Sequence, residues 1–428
     1  MSLSGSLYSA VAGLNVNSMA MSVIGDNIAN MNTIGYKRSR ACFQDLMAYP
    51  VIAVGSESYV GRGSVLQDIG QDMTQGSFAN TGNGLDLAIT GSGFFVVKGK
   101  IGGTEANYYT RAGQFQVSKD GYLENLTGLR VQGYMIGSDG TASQNLTDLE
   151  FRSATSPVKA TGKITLDLNL SSSATTPTAA WDLQDPANTS NFSTTITVYD
   201  TLGAAHDVNV YFRKTANNTW DYHAVVDKTQ TTSGLNEELG TGTLSFNSDG
   251  KLDTISSSGP FAYTFPGSGA QSLSFDFGDA LSSGGTGLAG LTQFASASSV
   301  NSQGQDGFPA GTLQSIVVDT NGLITGTFTN GQRRDLGQIA LADFRGNGLR
   351  RMGSNLWQET TESGQPVIGA ANTGTRGGLA SSALEQANVD LSSEFVDMIM
   401  AQRAFQANSR TITTSDQLIQ EVISLKRG

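Results

Sequence analysis

Charged and reactive side chains are scarce in this chain of 428 residues. Lys, Arg, Asp and Glu make up only 15% of it, and it contains one cysteine, Cys42, and two histidines, His206 and His223. A single cysteine excludes an intrachain disulfide, and two histidines this far apart do not form a metal-ligand motif. We therefore expect no catalytic residue, no metal site and no cofactor. We expect Cys42 to be a small, packed apolar group.

The N-terminal region lacks charge altogether. Asp26 is the first charged residue and Lys37 the first basic one. A secretory signal needs a basic segment before a compact apolar core, and no run approaches the ~18–20 apolar residues of a membrane span. We therefore expect no membrane insertion, and export, if it occurs, by a route that reads an uncleaved N-terminus. Without a basic stripe, we expect no nucleic-acid partner.

Both ends of the chain carry apolar residues at the 3–4 spacing of helices that pack lengthwise against other helices. This pattern predicts a subunit that polymerises through its ends. Burying seven such positions contributes roughly 10–20 kcal/mol, whereas ordering the segment costs about 30–60 kcal/mol. We therefore expect the ends to be disordered in the monomer and helical in the polymer. The predicted assembly core is Leu3, Leu7, Leu14, Asn17, Met21, Ile24 and Ile28, with Leu391, Phe395, Met398, Phe405, Ile412 and Ile419.

The body of the chain reads as β-structure. Apolar residues alternate in residues 163–170, and an apolar run from Phe94 follows a Gly-Ser-Gly corner. Residues 146–290 stand apart in composition, with 7 basic and 15 acidic side chains. The fold class expected is mainly β with α-helical termini in a nested order. The predicted parts are a helical core (1–31 and 384–428), a connector (32–71 and 376–383), a β-domain (72–145 and 291–375) and an inserted β-barrel or sandwich (146–290).

Several long motifs resemble those of one family. Residues 25–38 (GDNIANMNTIGYKR), 75–95, 109–115, 131–134, 384–391 and 398–408 are similar, in this order, to motifs of the axial proteins of the bacterial flagellum, the rod and hook subunits. The resemblance covers about 280 residues outside the insert. The residues carried over as family motif are Asn27, Ala29, Asn30, Gly35, Tyr36, Lys37, Gly82, Leu85, Asp86, Gly91, Gly93, Phe94, Asn388, Asp390, Gln402 and Arg403.

Within this family, the insert, residues 294–310 and residues 338–344 look like those of hook subunits. The resemblance implies a non-enzymatic subunit of a curved, flexible tube that acts as a universal joint and passes torque from rod to filament. It implies extracellular assembly at the flagellum, with copies of itself, the distal rod subunit, a hook cap protein, a hook–filament junction protein and the export apparatus as partners. Leu3 stands where many hook subunits have Phe in a short export signal, so that signal is expected to be weaker or read differently.

Three alternatives remain open at this point. A distal rod subunit with an enlarged insert shares the terminal motifs. A secreted adhesin shares the β-rich, acidic body, although no secretion signal or anchor is visible. A carbohydrate-acting enzyme would need paired carboxylates, for which Asp276 with Asp279, or Glu237 with Glu238, are candidates. The last two alternatives do not explain the apolar residues that recur at the 3–4 spacing at both ends of the chain.

Overall fold

The computed structural model is mainly β, with a long helix at each end of the chain, which confirms the expected fold class. It divides into two compact units. The first unit comprises residues 1–154, 315–326 and 334–428, and the second comprises 155–314 and 327–333. The structure describes residues 3–47, 49–53, 56–137, 140–152, 154–344 and 348–425.

One long helix lies at each end of the chain, and the elements between them in sequence are mostly short strands. The helices are α1 Leu3–Ala29, α2 Pro186–Thr189 and α3 Leu391–Leu425. The first strands are β1 Ser39–Asp45, β2 Tyr49–Ala53, β3 Ser56–Val60, β4 Ser64–Gln71, β5 Phe78–Asn80, β6 Leu87–Thr90, β7 Phe94–Ile101, β8 Thr104–Thr110, β9 Phe115–Val117, β10 Leu123–Asn125, β11 Arg130–Met135, β12 Thr147–Asp148, β13 Thr155–Ser156, β14 Lys163–Asn169 and β15 Phe192–Tyr199. The others are β16 Ala205–Ala216, β17 Thr219–Val226, β18 Glu237–Phe246, β19 Leu252–Ile255, β20 Phe261–Thr264, β21 Ala270–Asp276, β22 Ser299–Gln305, β23 Gly311–Val318, β24 Leu323–Phe328, β25 Arg333–Asp343, β26 Arg350–Gly353, β27 Leu356–Gln358, β28 Val367–Ala370, β29 Gly378–Ser381 and β30 Ala383–Glu385.

The two terminal helices pack against each other in the single chain. The expectation that the ends are disordered outside the polymer is therefore wrong for this structure. That estimate treated each helix alone and left out the hydrogen bonds that join the helices to each other and to the β-strands at their base. Leu3 begins α1, but its side chain lies outside the described part of the chain.

The predicted connector after α1 is a two-stranded antiparallel ribbon. β1 pairs with β4, from Ser39 opposite Gln71 to Asp45 opposite Ser64, and β2 pairs with β3 beyond it. The helix α1 packs against β1 and β4 and covers one face of this ribbon. Successive side chains of a strand point to opposite faces, and Ser39 and Ala41 are the buried and half-buried residues of β1, whereas Cys42 is exposed. The expectation of a packed thiol is therefore wrong.

The β-domain of the first unit is organised around β7. This strand pairs antiparallel with β8 and with β11, and β11 pairs with β25. The apolar run that begins at Phe94 is buried in β7, after Gly91 and Gly93 turn the chain at φ values of +101° and +123°. This confirms the predicted bend between two strands, because positive φ at both positions favours glycine.

The C-terminal strands return to the start of this domain. β29 pairs with β6, and β30 pairs with β5, both antiparallel. Residues 378–381, expected in the connector, thus belong to a ladder of the β-domain. The ladder brings residue 385 back to the segment that follows α1, because Gly35 donates its backbone N–H to the carbonyl of Glu385 over 2.8 Å.

The second unit contains two sheets that share one core. One sheet has the order β15-β16-β17-β18-β19 and the other β20-β21-β14-β22. Ile164, Leu166 and Leu168 alternate along β14 and are fully buried, as the period of two predicts. The unit extends to residue 314 rather than 290, because β14 pairs with β22 across Ile164 and Gln305.

By length and composition, one helix of the described chain qualifies as a membrane span. It covers Gly5–Ala29, has a mean hydropathy of 1.3 and is 11% buried. The helix passes this criterion because Ala, Val, Leu, Ile and Met raise its mean hydropathy, although Gly, Ser and Asn interrupt every apolar run within it, as the sequence indicates. Core helices of soluble proteins and signal sequences pass the same test, so the finding alone does not indicate insertion.

Candidate assembly site at the two ends of the chain

The terminal helices meet in an antiparallel register that is constant along their length. Ser6 Oγ lies 3.5 Å from Ser415 Oγ, and Asn27 donates from Nδ2 to Glu394 Oε2 over 3.3 Å. Midway between them, a Cβ added to Gly13 would lie 2.5 Å from Nδ2 of Asn408, so the glycine permits this close approach. The contact therefore follows small and polar residues spaced by multiples of seven.

The residues that make this contact are not the apolar seam, which is the set of residues predicted as the assembly core. In α3 the contact follows Glu394, Asn408 and Ser415, each three residues beyond a seam position. Ala401 continues the same row, and Glu394, Ala401 and Ser415 are buried. The seam residues Leu391, Met398, Ile412 and Ile419 are only half-buried, as are Leu7, Leu14, Asn17, Met21, Ile24 and Ile28 in α1.

Large apolar side chains remain exposed on both helices. Tyr8 of α1 is 73% exposed, and Val396 and Met400 of α3 are each 56% exposed. A soluble helix normally covers its apolar face, and contiguous exposed apolar surface marks an interaction site. The other large apolar residues exposed on the two helices are Val11, Met19, Phe395, Ile399, Phe405, Leu418, Val422 and Ile423.

Asn27 joins the base of α1 to the first strand. Its side chain donates to the carbonyl of Ser39 over 2.8 Å and accepts from the N–H of Ser39 over 2.9 Å. The Tyr36 hydroxyl donates to the same amide oxygen over 3.2 Å, and burial raises the pKa of this phenol. The chain direction between helix and ribbon is thus held by paired, buried hydrogen bonds.

Arg38 joins the same region to the base of α3. Its guanidinium bonds to Glu394 and to Asp397, the latter at 3.2 Å, and the hydrogen bond with Glu394 raises the pKa of Arg38. Its backbone N–H donates to Oδ1 of Asn388 over 2.7 Å. Asp390 accepts from the N–H of Ser392 over 2.8 Å and so caps the N-terminus of α3.

A buried ionic cluster lies beside these bonds. Glu385 accepts from Lys37 Nζ at 2.7 Å, from Arg111 Nη1 at 3.2 Å and from the N–H of Gly76 at 3.0 Å. Lys37 also donates to the carbonyl of Thr74 over 2.6 Å. Burial lowers the pKa of both Lys37 and Arg111, and the carboxylate opposes this shift. Glu385 is thus the shared counter-charge of two buried cations.

The structure brings some motif residues together and separates others. Asn27, Gly35, Tyr36, Lys37 and Asn388 meet at the helix base, and Arg111 donates to the carbonyl of Gly91 over 2.8 Å. Gly82, Leu85, Asp86, Gly93 and Phe94 belong to turns and strands of the β-domain, Ala29 and Asn30 lie at the end of α1, and Gln402 and Arg403 are exposed on α3.

Sequence reasoning did not single out Arg38, Arg111, Glu385 and Glu394 as site residues. The first three lie inside family motifs, and Glu385 directly follows the apolar pair Ala383 and Leu384 in a short strand. The signal available in the sequence was therefore a charged residue, Glu385, directly after apolar residues of a short strand. The partners of Glu385 are 274 and 348 positions away in sequence, so the sequence alone could not identify them.

Two of the carboxylates considered for catalysis, Asp276 and Glu237, bind to other side chains of the second unit. Asp276 pairs with Lys163 at 2.8 Å, and this hydrogen bond lowers the pKa of Asp276. Glu237 accepts from Ser233 at 2.6 Å and from Tyr263 at 2.8 Å, which lowers its pKa as well. Acids held ionised in this way do not suit the proton-donating role of a glycosidase. Among the described residues, no group of three or more His, Cys, Asp or Glu is placed to hold a metal ion.

Comparison with known families gives four matches, which together cover residues 7–37, 88–308 and 380–425. The flagella basal body rod protein model matches residues 7–37, and the D1 domain of flagellar hook protein FlgE/F/G matches 88–175. The flagellar basal body protein FlaE D2 domain matches 165–308, and the C-terminal model of the flagellar basal body rod FlgEFG protein matches 380–425.

Similar proteins match over nearly their full length. Flagellar hook protein FlgE of Escherichia coli (strain K12) is 36% identical over 422 residues, 97% of this chain and 99% of that protein. The FlgE proteins of Salmonella typhimurium (98% of this chain, 100% of that protein) and Borreliella burgdorferi (98% and 99%) are each 35% identical. This chain therefore belongs to the flagellar hook protein family and is a non-enzymatic, structural subunit of the flagellar hook.

Proposed function

We propose that copies of this chain polymerise through the faces of α1 and α3 that their own fold leaves exposed. The observation that supports the proposal is that each helix uses one set of residues for contacts within the chain and leaves another set exposed. Small and polar residues make the contact within the chain, whereas large apolar residues such as Val396 and Met400 stay uncovered. A second copy of the chain offers apolar faces of the same kind.

The size of the exposed surface favours a polymer over a dimer. Eight large apolar residues of α3 are about half exposed, and covering the remaining halves contributes roughly 6–12 kcal/mol. Association costs about 4–15 kcal/mol in lost freedom, so one helix contact with one neighbour is marginal. Contacts with several neighbours, repeated without closure, give a helical assembly.

We further propose that the tube is the curved universal joint between rod and filament. The paired helices α1 and α3 of many subunits would form the continuous inner wall of the tube. The β-domain and the second unit of each subunit would make smaller outer contacts, which change as the tube turns. The Gly-rich connector that contains the two-stranded ribbon is a candidate hinge, because glycine permits a wide range of backbone conformations.

The proposed neighbours at the two ends of the tube are the distal rod subunit and the hook–filament junction protein. A hook cap protein would guide growth, and the export apparatus would deliver the chain without cleavage.

Electron microscopy of purified protein tests the proposal. We expect the full chain to form curved tubes and a fragment of residues 72–386 to remain a β-rich monomer. The fragment keeps β29 and β30, and it keeps Glu385 paired with Arg111. Tubes formed by the fragment would show that the terminal helices are not the assembly determinants. Straight tubes from the full chain would refute the proposed curvature.

A further inference from the structure

Three charged side chains from distant parts of the chain meet in the first unit. Lys37 follows α1, Arg111 follows β8 in the β-domain, and Glu385 ends β30, six residues before α3. The side chains of Lys37 and Glu385 are 0% exposed and that of Arg111 is 4% exposed. Each therefore depends on its neighbours rather than on water.

Glu385 holds this cluster together electrostatically. Among the described residues it is the only carboxylate in ion-pair contact with Lys37 or Arg111. Without it, the hydrogen-bond acceptors left to Lys37 and Arg111 would be the carbonyl oxygens of Thr74 and Gly91, and Asp72 and Asp343 would act on the two cations only from outside ion-pair contact. Removing one partner of a buried ionic group is strongly destabilising because the remaining charge is left without compensation.

We infer that Glu385 is a positioning residue that makes the N-terminal and C-terminal segments dock on the β-domain together. If β30 leaves β5, the carboxylate leaves with it and Lys37 loses its counter-charge. If the N-terminal segment leaves, Glu385 keeps one cation of two. A subunit with only one helix correctly placed is thereby disfavoured. This coupling is a property of the single chain and holds whether or not the helix faces bind other copies.

The surrounding backbone bonds also need both ends at once. Gly35 donates to the carbonyl of Glu385 over 2.8 Å, and Arg38 donates its N–H to Asn388 Oδ1 over 2.7 Å. Gly35 has φ +70°, and a Cβ there would lie 2.6 Å from the backbone N of Ala112, so this segment sits directly on the β-domain. The amides of Gly35 and Arg38 report contact of the N-terminal segment with the C-terminal one. The amide of Gln386, which donates to the Ser77 carbonyl over 2.8 Å, reports docking of the C-terminal segment on the β-domain.

Hydrogen exchange on the full-length monomer tests the coupling. We expect Glu385→Gln to reduce protection of the amides of Gly35, Arg38 and Gln386 by about 100-fold, the scale expected when a buried charge loses its partner. Amides of β7 should keep their protection. Glu359→Gln is the matched control, because Glu359 accepts one hydrogen bond, from Tyr109, within the β-domain. It should leave all three reporter amides unchanged.

A second variant tests the reverse direction. Lys37→Met should reduce protection of Gln386, although that amide makes no contact with Lys37. Loss of protection confined to Gln386 in Glu385→Gln, with Gly35 and Arg38 still protected, would overturn the coupling. A parallel loss throughout β7 would also overturn it, since Glu385 would then be a general core residue. So would Gly35 and Arg38 amides that are already unprotected in the unmodified chain.

Discussion

Replacing Leu14 with Asp separates the stability of the subunit from the stability of the polymer. Leu14 lies in the middle of α1, one residue beyond the contact between Gly13 and Asn408, and it is half-buried in the single chain. The side chain therefore contributes only part of the ~1.5–3 kcal/mol of a fully buried leucine. We expect the melting temperature of the monomer to fall by no more than about 2–4 °C, the shift that ~1 kcal/mol causes in a domain of this size.

Assembly should respond far more strongly to the same change. In the polymer, the carboxylate would be buried without a partner, at a cost of about 4 kcal/mol per subunit. Since ~1.4 kcal/mol is a factor of ten, the concentration needed for polymerisation should rise by about 1000-fold. Sedimentation of polymer at increasing protein concentration measures this value directly.

The control and the refuting results are equally specific. Ser22→Asp places the same charge on an exposed position of α1 and should change the polymerisation threshold by less than tenfold. A threshold for Leu14→Asp equal to that of the parent would mean that neighbours do not cover this face. A fall of more than 10 °C in the monomer's melting temperature would mean that Leu14 is a core residue of the single chain.

Three further changes test the fold and its charges. Leu166→Ala should lower the unfolding free energy of the second unit by about 2–5 kcal/mol, measured by urea denaturation, and still permit assembly. Asp390→Ala removes the cap of α3 and should cost about 1 kcal/mol, measured as faster hydrogen exchange in its first turn. The melting temperature of the second unit should fall as the pH drops below about 4: hydrogen bonds hold the pKa of Asp276 and Glu237 below normal, so their stabilisation is present above the ordinary carboxyl pKa and is lost as the pH falls through the folded one. Asp276→Asn should flatten this dependence, and an unchanged slope would show that the pair with Lys163 contributes nothing.

Local patterns were sufficient to predict the secondary structure of this chain. A spacing of three and four identified both terminal helices, and an alternation of two identified β14, because each period places one face of an element toward its partner. The bend before β7 was equally readable, since Gly91 and Gly93 supply backbone angles that other residues avoid. These predictions depend only on residues close together in sequence.

Predictions that depended on a distant partner were less successful. The apolar seam was visible, but the helices meet within the chain along a different row, through Gly13 and Asn408. The extent of the second unit was not readable from composition, because β22 joins it by pairing with β14. Cys42 is exposed because its side chain lies on the face of the ribbon that α1 does not cover, which residue type alone does not indicate.

By itself, the sequence determined the helical ends, the β-rich body, the absence of catalytic chemistry and the membership of the hook family. Only the tertiary structure decided which residues of α1 face α3, which apolar side chains stay exposed, and which carboxylate pairs with Lys37 and Arg111. The physical reason is that backbone preference and hydrophobic period act within a few residues, whereas close packing and buried charge pairs are satisfied by whatever the fold brings near. Glu385 and Lys37, 348 positions apart, have no relation until the chain closes on itself.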